Sequence, residues 1–109
     1  MRRSFAIGAA LGLAACGQGG PPEVEYRVLS PSAEIASAQL FLCDQTYEMA
    51  REGGVWAVHA PVTCEGGGVL LVQLADGASV NCSGDHVEPE MYPTTYGYVV
   101  SATGCAFAQ

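Results

Sequence analysis

The chain has 109 residues, of which 11 are acidic and only four are basic, so its formal net charge is −7 at neutral pH. Nucleic acid and anionic lipid head groups both require a cationic surface, and this composition therefore argues against both as partners. The length suits a single domain. A domain this small buries proportionally little of its surface, so covalent staples are expected.

The N-terminal residues have the anatomy of an export signal. Arg2 and Arg3 supply positive charge, and an apolar run of about 11 residues follows over 5–15. That run is shorter than the roughly 20 residues that a transmembrane helix needs. Residues 1–15 are therefore predicted to be a signal peptide. Arg2-Arg3-Ser4-Phe5 also resembles a twin-arginine export motif, although the very short charged region favours the general secretory route.

The apolar run ends in Leu13-Ala14-Ala15-Cys16. A Leu, two small residues and a Cys at this place resemble the lipobox of bacterial lipoproteins. The resemblance implies that Cys16 is acylated, becomes the new N-terminus and anchors the protein to a lipid bilayer through two or three acyl chains, each buried CH₂ contributing about 0.8 kcal/mol. Because Gly17 rather than Asp follows Cys16, the enterobacterial sorting pattern implies the outer membrane, on its periplasmic side.

Residues 16–22 are predicted to be the acylated cysteine and a flexible tether, because the residues after Cys16 are Gly, Gln and Pro with no apolar side chain to bury. The folded part is then one domain over residues 23–109. Once the signal is removed, Arg27 and Arg51 are the only bases beside 11 acidic residues, a net charge of −9. Such acidity most often serves solubility.

The first part of the domain is predicted to form strands. Residues 24–29 alternate loosely and indicate a strand, residues 33–36 are expected to form a short helical turn capped by Ser32, and the apolar run 38–43 indicates a buried strand.

Gly53-Gly54 predicts a hairpin between residues 45–52 and 55–60, because two glycines tolerate positive φ at both turn positions. The numbers of opposed residues then sum to 107. His59 is expected to point outward beside Glu48. One face of the hairpin is predicted to enter the core, and it carries Tyr47, Met49, Arg51, Trp56, Val58 and Ala60.

A second hairpin is predicted between residues 69–74 and 78–83. A three-residue loop with Gly77 in the left-handed region sets Val72 opposite Val80 and Leu70 opposite Cys82, which turns one apolar face inward. The remaining predicted elements are a turn over 66–68, an acidic loop over 84–93, a strand over 94–101 and a short edge segment over 105–107.

Six or seven short strands without an amphipathic helix predict an all-β fold, either a small antiparallel β-sandwich or a partly open barrel. Besides Cys16, the four remaining cysteines are an even number in an oxidising compartment and predict two disulfides. The hairpin register pairs Cys43 with Cys64, because their numbers sum to 107, and this leaves Cys82 for Cys105. Pro61 has no N–H for the ladder, so a bulge there would shift the register.

The sequence contains no nucleophile elbow, phosphate loop or His-Glu-x-x-His motif, so no catalytic residue and no cofactor are predicted and the chain is not expected to be an enzyme. A more specific alternative to a domain without a chemical site is a Zn²⁺ or copper site around His86, with Cys82, Asp85, Glu88 and Met91 near by. The requirement for Cys82 in a disulfide counts against it, and no metal ligand is predicted.

Four aromatic side chains would suit a glycan platform if they were exposed, namely Trp56, Tyr92, Tyr96 and Tyr98. Strand aromatics more commonly pack into the core. The sequence thus favours a lipid-anchored lipoprotein of the bacterial cell envelope whose β domain is structural or binds a protein or glycan. The alternative is a periplasmic metal-binding lipoprotein that uses the His86 loop.

Overall fold

The computed structural model describes residues 20–107. The all-β fold is confirmed, with nine strands in place of the six or seven expected. No helix in this part of the chain is long and apolar enough to cross a membrane. The strands are β1 (Glu23–Leu29), β2 (Ile35–Leu42), β3 (Gln45–Glu48), β4 (Ala50–Glu52), β5 (Val55–Pro61), β6 (Gly66–Leu74), β7 (Ser79–Val87), β8 (Thr94–Ser101) and β9 (Gly104–Phe107).

The strands form two sheets that pack as a sandwich. The five-stranded sheet has the order β4-β5-β1-β8-β9 and the four-stranded sheet the order β3-β2-β6-β7. β1 and β8 run parallel, and the other described pairs are antiparallel. Apolar side chains from both inner faces fill the space between the sheets, and their burial is the main stabilising contribution. The largest fully buried ones are Tyr26, Leu40, Leu70, Val24, Val28, Val62, Val72, Val87 and Val100.

The Gly53-Gly54 hairpin forms with the predicted register, which sets Arg51 opposite Trp56. The prediction of one strand over 45–52 is wrong, because the chain passes from one sheet to the other at Met49. Met49 is 5% exposed, and its N–H donates to the Ala38 carbonyl at 2.9 Å. The other apolar members of the predicted core face also contact the core, whereas Arg51 is exposed.

β3 pairs with β2 across a two-residue turn made of Cys43 and Asp44. Both residues have positive φ, 53° and 63°. A turn with left-handed conformation at both central positions matches the twist of the strands that it joins. The segment before Met49 therefore belongs to the four-stranded sheet. The Glu48 carboxylate accepts a hydrogen bond from the Gln39 amide in that sheet and does not lie beside His59 as predicted.

The second hairpin is confirmed. Leu70 lies opposite Cys82 and Val72 opposite Val80, and Gly77 has a φ of 98°. Any residue other than glycine would be strained at this turn position, because a Cβ disfavours this positive φ.

The predicted helical turn over 33–36 is wrong. Ile35 begins β2 and is only 6% exposed, since its side chain enters the core between the sheets. The hydroxyl that accepts a backbone N–H in the preceding turn belongs to Ser30, which binds the amide of Ala33 at 3.2 Å, and not to Ser32.

The predicted turn at 66–68 and the first four residues of the predicted loop at 84–93 are strand residues instead. β6 and β7 stay paired up to Gly66 opposite Val87, with a bulge between Gly67 and Val69. Glycine allows close approach here, because a Cβ on Gly84 would lie 3.0 Å from the Gly68 carbonyl oxygen. The buried Val87 side chain holds the end of β7 in the sheet, so the loop shortens to residues 88–93.

Candidate functional site

Two disulfides join Cys43 to Cys64 and Cys82 to Cys105, with Cα–Cα distances of 5.5 and 5.6 Å. This is the predicted pairing, although Cys43 lies in the β2–β3 turn and not on the predicted long hairpin. The first disulfide ties that turn to the β5–β6 loop. The second joins β7 to β9, which are edge strands of opposite sheets. The predicted lipidation site, Cys16, lies outside the described residues.

His86 lies on β7 with two carboxylates near its ring. Its Nε2 is 3.3 Å from Glu65 Oε2 and 3.9 Å from Glu88 Oε2, and one ligand atom from each of the three residues falls within 4.8 Å of the others. All three side chains are exposed. One imidazole and two carboxylates suit Zn²⁺, and the same arrangement is also an ordinary surface ion pair when His86 is protonated.

The other residues considered as metal ligands have different contacts. Cys82 is consumed by its disulfide, and the Met91 sulfur accepts the Glu88 amide at 3.5 Å. The Asp85 carboxylate turns towards Tyr98, whose hydroxyl donates to it at 3.0 Å. Sequence reasoning missed Glu65, since only the pairing of β6 with the end of β7 brings that loop residue beside His86.

Three polar side chains lie close to the Glu25 carboxylate on the outer face of the five-stranded sheet. The carboxylate lies 3.6 Å from Arg27 Nε and 3.5 Å from His59 Nε2, and it accepts the Thr95 hydroxyl at 3.2 Å. Nucleophilic catalysis requires the hydroxyl to donate to the base. In this cluster Thr95 donates to Glu25 and not to His59, so the described residues form no Thr–His pair here.

The four aromatic residues do not form one exposed platform. Tyr98 is buried and stacks on Tyr26 with ring centroids 6.3 Å apart, while Tyr96 and Trp56 are partly buried against the core. Tyr92 alone of the four is exposed, at 88%.

Burial controls the acid–base behaviour of Tyr26 and Tyr98. It raises the pKa of Tyr26 to about 12, with smaller contributions from Tyr96 and Asp85. Burial also raises the pKa of Tyr98. The hydrogen bond from the Asp85 backbone N–H opposes this shift, whereas the hydrogen bond and charge of the Asp85 carboxylate add to it. Both hydroxyls therefore stay neutral at physiological pH, and their roles are packing and hydrogen bonding.

No family model and no curated protein matches the chain. Among solved structures, the chain is similar to the NMR structure of a protein from Eubacterium rectale, with a TM-score of 0.56. The similarity covers 86% of this chain and 96% of that one at 9% sequence identity. At this identity it shows the fold alone.

Proposed function

We propose that this chain is a lipid-anchored lipoprotein of the bacterial cell envelope, whose β domain binds another envelope component without catalysing a reaction. The observation that carries the proposal is the tetrapeptide Leu13-Ala14-Ala15-Cys16 at the end of an export signal. Cys16 carries the lipid. A protein partner is favoured over a glycan, because three of the four candidate aromatic residues pack against the core.

The start of the domain suits a short tether. The Pro22 carbonyl accepts the Val62 N–H at 2.8 Å, and β1 begins at the next residue. The chain from Cys16 to Glu23 therefore spans at most about 25 Å when fully extended. An acylated Cys16 would hold this end of the sandwich near the bilayer.

Intact mass spectrometry of the detergent-extracted protein tests the anchor. We expect a chain that begins at Cys16 and carries acyl groups. Cys16→Ser should leave the uncleaved precursor, because the thiol that receives the lipid is gone. Normal processing of Cys16→Ser together with membrane partition would show that the anchor is not at this residue.

A second candidate function is metal binding, favoured by the convergence of Glu65, His86 and Glu88. Calorimetric titration of the oxidised protein with Zn²⁺ and Cu²⁺ tests it. Micromolar or tighter affinity that is lost in His86→Ala supports this function. His59→Ala is the matched control, since His59 is also an exposed histidine beside a glutamate. Equal loss in both variants, or no heat of binding, argues for a plain ion pair.

A further inference from the structure

Two large apolar side chains are exposed next to each other on the outer face of the four-stranded sheet. Phe41 on β2 lies directly opposite Val69 on β6, and the two are 39% and 43% exposed. Thr46 on β3 and Ser83 on β7 complete the same row across the sheet.

The rest of this outer face is more polar. In the next row the Gln39 amide donates to Glu48, beside the half-buried Leu71. Beyond that row the Ser79 hydroxyl donates to Gln73 at 2.9 Å. Apolar exposure on the sheet is therefore concentrated at the end that carries Phe41 and Val69.

Phe41 and Val69 line a groove of about 840 Å³. Its walls are the Cys43–Asp44 turn and the Thr63–Glu65 loop, and the Cys43–Cys64 disulfide fixes one wall to the other. Gly66 and Gly67 lie beside Val69 and leave backbone instead of side chains at this end of the groove. A stapled groove loses little conformational entropy when it binds, which favours affinity.

The charge on the groove selects for a cationic occupant. Asp44 and Glu65 stand at its walls, and its described lining contains no Lys, Arg or His. His86 lies outside the lining, with its Nε2 3.3 Å from Glu65 Oε2. Arg27 and Arg51 lie on β1 and β4 of the other sheet. A second copy of this acidic chain would be repelled, whereas a basic segment would be attracted.

We propose that this groove binds an extended peptide segment of a partner protein, one that places an apolar side chain over Phe41 and Val69 and a Lys or Arg beside Asp44 or Glu65. This inference rests on the proposed function and specifies its partner. The apolar contact supplies most of the affinity, and the carboxylates supply register and salt dependence.

Fluorescence anisotropy with the full mature protein in non-ionic detergent and a chelator tests the proposal. The probe is a short labelled peptide that alternates Lys with Phe and Leu, and a Glu-for-Lys version is its control. We expect saturable binding of the basic peptide alone. Phe41→Ser should weaken it by about tenfold or more, and Val69→Thr, which keeps the β-branched shape, by a smaller factor.

Paired charge variants separate the groove from general attraction to an acidic protein. Asp44→Asn with Glu65→Gln should weaken binding and reduce its salt dependence, and Asn tolerates the positive φ at position 44. Glu34→Gln with Glu52→Gln removes the same charge from sites at the other end of the strands and should change binding little. Tyr92→Ser is the control for loss of an exposed aromatic.

Three outcomes would overturn the proposal that the groove binds a basic peptide segment. They are equal weakening by both charge pairs, no binding of the basic peptide, and concentration-dependent self-association that Phe41→Ser abolishes, which would make a second copy the occupant. The two proposals fail separately. An acylated protein that does not bind the peptide contradicts the groove alone, and a protein that binds the peptide without an acyl group contradicts the anchor alone.

Discussion

The hydroxyl of Tyr98 makes two hydrogen bonds to Asp85, accepting the backbone N–H and donating to Oδ2, both at 3.0 Å. Tyr98 lies on β8 and Asp85 on β7, so the pair joins the two sheets near the Cys82–Cys105 disulfide. The Tyr26 hydroxyl reaches the Asp85 carbonyl at a longer 3.5 Å.

Tyr98→Phe should lower the free energy of unfolding by about 1–3 kcal/mol, because it leaves the part-buried Asp85 amide and carboxylate without their partner. Tyr26→Phe removes one long hydrogen bond and keeps the ring, so we expect a loss of about 0.5 kcal/mol or less. Urea unfolding of both variants measures the difference. Equal losses would show that the two Tyr98–Asp85 hydrogen bonds stabilise the domain no more than the single long Tyr26–Asp85 bond does.

Stability should fall as the pH rises above 10. A tyrosine in the unfolded chain ionises near its ordinary pKa of 10.0, whereas burial raises the pKa of Tyr26 to about 12 in the folded domain. The unfolded state therefore binds fewer protons than the folded state between these values, and ionisation favours unfolding there. The neutral Tyr26 hydroxyl therefore makes its full stabilising contribution below pH 10, and this contribution is lost as the pH rises towards 12.

Urea midpoints from pH 8 to 12 measure this decline, and Tyr26→Phe provides the control because it removes one of the tyrosines whose pKa is raised. The variant should show a shallower decline than the wild-type protein. A wild-type profile that stays flat to pH 12 would show that the Tyr26 hydroxyl is not held in its neutral form.

Local turn chemistry explains what the sequence could predict. The Gly53-Gly54 hairpin and the loop that ends at Gly77 both have the expected register, because short loops with left-handed positions fix strand pairing locally. The disulfide pairing also agreed with its prediction, although Cys43 lies in a turn. The register extrapolated from Gly53-Gly54 does not hold beyond Met49.

What the sequence could not predict depends on contacts between distant residues. Nothing local marks Met49 as the point where the chain changes sheets, since Tyr47 and Trp56 keep the alternation of one continuous hairpin. The sequence does not indicate the extension of β7, because glycines usually weaken strands. In this fold Gly68 and Gly84 instead permit close backbone approach. The groove at Phe41 and the Glu65–His86 contact both follow from two tertiary features, the change of sheet at Met49 and the extension of β7.

Gly84→Ala should destabilise the domain by about 1–3 kcal/mol. The added Cβ would lie 3.0 Å from the Gly68 carbonyl oxygen and 3.1 Å from Cε1 of the buried Tyr26 ring, and neither group can move freely. Gly54→Ala is the matched control, since a Cβ there meets nothing within 4 Å and its φ is not positive. Thermal unfolding of both variants should separate them, and equal midpoints would contradict the close approach of β6, β7 and Tyr26.

The two disulfides should differ in what their removal costs. Each closes a loop of similar length, with sequence separations of 21 and 23, so chain entropy alone assigns each about 3 kcal/mol. Cys82 is 1% exposed, whereas Cys43 and Cys64 are only partly buried. Cys82→Ala with Cys105→Ala should therefore cost about 1 kcal/mol more than Cys43→Ala with Cys64→Ala, because it also removes buried volume from the core. Urea unfolding of the two double variants makes the comparison. A larger loss for the Cys43–Cys64 pair would show that fixing the groove walls matters more to stability than joining the two sheets.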